Sequence, residues 1–155
     1  MSMPNRLIAA PIAMLGLMAA AADVPGTAPP RAIVRNASDP ALQWGACPAL
    51  FPAGCQIAVL QGDPAKPHAD VLLRIAGGLA LPAHSHSSAE HIVLIEGELE
   101  VRYEGQPAAV LKRGDFAYGP PNLPHAARCV SSTPCTLFIA FEQAVDAIPH
   151  AGPLR

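Results

Sequence analysis

The residues in this chain with the most chemistry to offer stand between Gly78 and His125: they are His84, His86, Glu90 and His125 itself. Side chains alternate faces along an extended strand, so His84 and His86, one residue apart, share a face. Glu90, four residues on, can turn back toward the same point. His125, which follows the proline-rich GPPNLP, can close the set. Three neutral imidazoles and one carboxylate suit a divalent transition ion and leave coordination positions free for water or substrate. Taken singly, each has a plainer role. A lone histidine on an apolar strand is usually a core residue with its nitrogens satisfied, and an isolated H-x-H can be a surface pair.

The elements that must position these groups read as β. QIAVL (56–60), VLLRIA (71–76), HIVLIE (91–96), ELEVRY (98–103), AAVLK (108–112), DFAY (115–118), AARCV (126–130) and CTLFIAF (135–141) are short, apolar or alternating. They are rich in Val, Ile, Leu and aromatic residues. Turn signals separate them, among them Gly77-Gly78, Gly97, Arg113-Gly114-Asp115 and Gly119-Pro120-Pro121-Asn122. Residues 41–142 offer no helical pattern, and the 18 prolines argue against a helical bundle, since interior proline breaks helices. Many short strands at close spacing predict an all-β sandwich or barrel.

Length and composition fit one domain: 155 residues, 51% hydrophobic, 14% charged, with a net charge of −2. No basic patch with interleaved aromatics occurs, which argues against nucleic acid as a partner. Residues 1–22 have the anatomy of a secretory signal peptide. A short polar start with Arg6 precedes an apolar run too short to span a bilayer comfortably, and the run ends in the small residues Ala20-Ala21-Ala22. An uncleaved anchor is the alternative, disfavoured by Pro11 and Gly16 within the run. Residues 23–40 read as a flexible segment with a short edge strand at 32–35, residues 41–142 as the domain, and 143–155 as a C-terminal tail. The mature protein is expected in the periplasm or outside the cell, free of the membrane.

The four cysteines, Cys47, Cys55, Cys129 and Cys135, agree with export. Three pairings are possible. Cys47–Cys55 and Cys129–Cys135 are favoured because each pair brackets a short loop containing proline, CPALFPAGC and CVSSTPC. A zinc site of four cysteines is a poor alternative, since no C-x-x-C appears.

These strings resemble the cupin superfamily of small jelly-roll β-barrels. The first cupin signature (G, five residues, H-x-H, three or four residues, E, six residues, G) is met by Gly78, His84, His86, Glu90 and Gly97. The second (G, five residues, P-x-G, two residues, H, three residues, N) is met by Gly114, Pro120 and His125. Asn122 stands where the glycine of P-x-G belongs, and Cys129 where the final asparagine belongs. Asn122 tolerates the same left-handed backbone. The resemblance covers residues 54–142. It implies a single jelly-roll barrel with His84, His86, Glu90 and His125 as ligands of one divalent ion (Fe, Mn, Ni, Cu or Zn), and a homodimer. A finer resemblance is to small exported bacterial cupins and to the cupin half of ChrR-type anti-sigma factors. The helical sigma-binding zinc domain of those proteins is missing, so a sigma-factor partner is not expected.

Function follows from that site. The first expectation is a metal-dependent oxidoreductase of dioxygenase type acting on a small organic substrate, with Glu90 also able to serve as a catalytic base. The same ligands would serve a lyase or isomerase. A periplasmic protein that only binds metal or a small ligand is the non-enzymatic alternative. Arg74, Tyr103, Tyr118 and Phe138 are candidate pocket residues, although aromatics at strand spacing are more often core and Arg74 could equally face outward. His91 follows Glu90 and should point to the opposite face; His68 and His150 are expected in solvent.

Overall fold

The alternation that marks the strands in sequence gives each an apolar inner face on which two sheets pack. A computed structural model describes residues 31–155. It places eleven strands: β1 (Trp44–Ala46), β2 (Cys55–Gln61), β3 (Ala69–Ile75), β4 (Ala80–Ser85), β5 (Glu90–Glu96), β6 (Leu99–Tyr103), β7 (Ala109–Leu111), β8 (Phe116–Gly119), β9 (His125–Cys129), β10 (Cys135–Phe141) and β11 (Ile148–Pro149). In β5, Glu90, Ile92 and Leu94 are buried while His91, Val93 and Ile95 are less so; β6 buries Leu99, Val101 and Tyr103 and exposes Glu100 and Arg102. No helix occurs among the described residues.

Two antiparallel sheets form, in the orders β1-β2-β3-β10-β5-β8 and β11-β4-β9-β6-β7. Their inner faces pack together through one core, in which Val71, Ile75, Leu94, Leu99 and Leu137 are among the most buried residues. This is the expected jelly roll. The eight expected strands all form. The chain at 32–35, expected as an edge strand, forms none. Strands β1 and β11 were not anticipated, and β4 was expected only as the extended stretch that carries His84 and His86. Strand β11 lies within the segment read as a tail: Ile148 and Pro149 pair with Ser85 and His84. The signal-peptide reading of residues 1–22 lies outside the described residues.

The outer face of the six-stranded sheet is covered in part by a second cluster, in which Leu42, Ala58 and Leu72 pack with Trp44, Leu60, Ile95 and Phe138. Both disulfides join the favoured partners, Cys47–Cys55 and Cys129–Cys135, which fits an oxidising environment. Cys55 and Cys135 both stand opposite Ile75 in the ladder, so the two bridges meet at one end of the barrel.

Candidate metal centre

The other end of the barrel gathers the histidines, and a break in β4 is what aims them. Leu81 pairs with Ala127, yet His84 pairs with His125, so β4 carries one more residue than β9 over this stretch. Pro82 sits in that interval and has no N–H to give the ladder. The extra residue reverses which side chains face inward. Leu81 is buried, Pro82 is exposed, and His84 and His86 are buried again. Without the bulge, the H-x-H pair would face away from the side that Leu81 occupies. His125 also stands opposite Tyr103 on β6, so His84, His125 and Tyr103 form one row across three strands.

Each imidazole is held by a main-chain carbonyl. His84 Nδ1–H donates to Pro82 O (2.7 Å), His86 Nδ1–H to Asp146 O, and His125 Nδ1–H to Leu123 O (3.3 Å). A carbonyl can only accept, so the proton is on Nδ1 and each Nε2 keeps a free lone pair. The three rings pack within 4.3–5.3 Å of one another, centroid to centroid, and their ligand atoms all lie within 4.8 Å. Glu90 joins them from the facing sheet, its oxygens 3.5 Å from His86 Nε2 and 3.2 Å from His125 Nε2. Glu90 Oε1 is buried with no hydrogen-bond partner among the described residues. Gly119, opposite Glu90 on β8, makes its room: a Cβ there would come within 2.8 Å of Glu90 Cγ and Oε1.

Burial sets the charge states. It lowers the His84 pKa to about 4 and the His125 pKa to about 3, with repulsion between neighbouring imidazoles adding to both, and it lowers that of His86. All three are therefore neutral at pH 7. Burial pushes the Glu90 carboxyl up to about 8. Three neutral donors beside an unpartnered buried carboxyl form a set whose chemistry fits a divalent cation, which would ionise the acid and use the lone pairs.

The cavity next to these groups measures about 60 Å³, room for several waters. Its remaining walls are almost wholly apolar: Val71, Ile75, Leu81, Ile92, Leu137 and Ile139, with Phe51, Phe141 and Val145 near the histidines. Phe51 lies edge-on to His84 (4.8 Å) and Phe141 to His86 (5.5 Å). Asp146 is the one charged lining residue besides the glutamate.

Of the pocket candidates, only Tyr103 is near. It packs on His125 at 5.3 Å, and its buried hydroxyl has no partner among the described residues. Arg74, Tyr118 and Phe138 face the outside of the six-stranded sheet and do not line the cavity. The Arg74 guanidinium stacks 3.9 Å from the Trp44 ring, Phe138 belongs to the outer cluster, and Tyr118 is half exposed beside His91. His91 points outward, as the alternation predicted, with its Nε2 3.2 Å from Glu142 Oε1. Phe51, Gly119 and Asp146 were missed. Gly119 read only as a turn signal, and a single aspartate in AVDAIP carried no signal at all.

Residues 71–141 match the family model described as the cupin domain. No curated protein matches this sequence. Similar solved structures include a DMSP lyase from Ruegeria pomeroyi (22% identity, TM-score 0.62), where the match covers 72% of this chain and 64% of that one. An RmlC-like cupin from Shewanella frigidimarina is also similar (22% identity, TM-score 0.56, covering 68% and 86%). So is an oxalate decarboxylase variant from Bacillus subtilis (18% identity, TM-score 0.53, covering 67% and 28%). At these identities the likeness is one of fold.

Proposed function

Because the chain belongs to the cupin superfamily, we propose that its barrel mouth holds one divalent transition metal on His84, His86, Glu90 and His125. We further propose that the loaded protein is an oxidoreductase of dioxygenase type acting on a small organic substrate. The observation that carries this reading is the set of three carbonyl-tethered imidazoles with free Nε2 lone pairs around an unpartnered buried carboxyl. When bound, the metal would supply a Lewis acid and a redox centre.

The chain's own residues do the rest. The carbonyls of Pro82, Leu123 and Asp146 fix the tautomers and aim the rings. Phe51 and Phe141 shield the ligands from water, and the aliphatic floor favours an apolar diatomic gas over water. Glu90 is the group placed to hold or move a proton, since its Oε1 is free and its carboxyl titrates at about 8 before any cation arrives.

A second reading is elimination by a metal-dependent lyase. The carboxylate of Asp146 at the mouth supports it as a second candidate base, and proteins of the same fold include DMSP lyases. The two disulfides support export to an oxidising compartment.

One experiment separates the readings. Apo protein is reconstituted with Fe(II), Mn(II), Ni(II), Cu(II) or Zn(II) and offered phenolic, diketone and β-substituted carboxylate substrates, with and without O2. Turnover that consumes O2 and stops under nitrogen is the expected result. Turnover that is equal under nitrogen and yields an alkene would overturn the oxygenase in favour of the lyase.

A further inference from the structure

Asp146 sits on the segment between β10 and β11 and binds the site twice. Its main-chain oxygen accepts from His86 Nδ1, and its Oδ1 accepts from the backbone N–H of Ser87 at 2.9 Å. The second contact holds the carboxylate at the rim, Oδ1 3.9 Å from His86 Nδ1 and about a third exposed. No lysine or arginine among the described residues lines the cavity. A divalent ion with Glu90 and Asp146 both ionised would leave the mouth electrically neutral, in a low-dielectric wall where charges are felt strongly.

We propose that Asp146 is a specificity residue that disfavours anionic ligands at this mouth, so that the substrate reaches the metal as a small neutral or cationic molecule. The inference rests on the metal-centre reading. It names the substrate class that reading left open. Binding a carboxylate ligand would place a third negative charge beside Glu90 and Asp146 with no protein cation to offset it. A neutral or cationic ligand meets no such opposition, and the aliphatic walls suit its apolar part. Size sets the second limit, since about 60 Å³ admits a reacting group of only a few heavy atoms.

The test uses Cu(II)-loaded protein with azide as the anionic probe and imidazole as the neutral one, both titrated by visible absorption and by electron paramagnetic resonance. Asp146→Asn is the informative variant. Its amide oxygen can still accept from Ser87 N, and the His86 contact is to main chain, so the site's shape is kept while one charge is removed. Azide affinity is expected to rise about tenfold in the variant, as the loss of one charge at this range implies, while imidazole affinity changes less than about twofold. Unchanged azide affinity in a variant that still binds copper stoichiometrically would overturn the charge role and leave the metal centre standing. Failure of the parent protein to bind copper, manganese, nickel, iron or zinc would overturn both.

Discussion

Strands β5, β9 and β10 run the length of the barrel, and their two ends are secured in different ways. At the mouth they carry Glu90, His125 and Phe141; at the far end they finish near Glu96, Cys129 and Cys135. The far end is covalently closed. Cys129 and Cys135 are bonded and fully buried, Cys55 joins the same row opposite Ile75, and the hairpin at Gly97 (φ +85°) is so tight that a Cβ would lie 2.9 Å from Cys135 Sγ. No cysteine lies among the polar groups of the mouth, although the loop closed by Cys47–Cys55 carries Phe51 against His84. The rings at the mouth are held by hydrogen bonds to three carbonyls, which fix a tautomer and leave a lone pair free. A disulfide fixes backbone and does nothing for an electron pair; a carbonyl tether does the reverse. The covalent links lie at one end, and the buried polar groups, costly without a partner, lie at the other.

Four perturbations test this contrast. The largest is removal of a mouth histidine. His125→Ala is expected to lower metal affinity by more than about 100-fold, beyond the 10–100-fold that loss of an outer partner costs. Both disulfides should remain, checked by thiol titration. Next is pH. Without metal the Glu90 carboxyl is protonated below about 8, and binding needs the carboxylate, so metal uptake releases a proton. Affinity should therefore fall about tenfold per pH unit as pH drops from 8 to 6, measured by competition with a chelator. His84 and His125, with pKa values near 4 and 3, add nothing in that window.

The converse perturbation is the double change Cys129→Ser and Cys135→Ser. In the chain-entropy model it should cost about 2–3 kcal/mol in a denaturant titration, with metal affinity kept within about twofold. The smallest effect is expected for His91→Ala. His91 neighbours Glu90 in sequence but faces outward, so stability should change by less than about 0.5 kcal/mol and metal affinity not at all.

Much of the fold was legible because its signals are local. Eight strands announced themselves through alternation and turn residues, and Asn122 takes the positive φ (62°) that its place in the second cupin signature requires. Strand β4 was legible only at its histidine end, because the bulge at Pro82 and Ala83 breaks the alternation that would reveal the rest. Arg74 and Phe138 were ambiguous for a different reason. In VLLRI and CTLFIAF apolar residues occupy both faces, since Leu42 and Trp44 cover the outer side. Nothing in either segment says which parity looks into the barrel. Asp146 was invisible because its importance depends on the return of residues 143–149 to β4, a contact some sixty positions away in the chain.

The most direct measurement is elemental analysis of the parent protein, expressed to the periplasm and purified without added metal, and again after reconstitution. About one divalent transition ion per chain, absent from the His125→Ala variant, is the predicted result. A parent protein free of metal in both preparations, or a variant that binds as much as the parent, would contradict a metal centre at the barrel mouth.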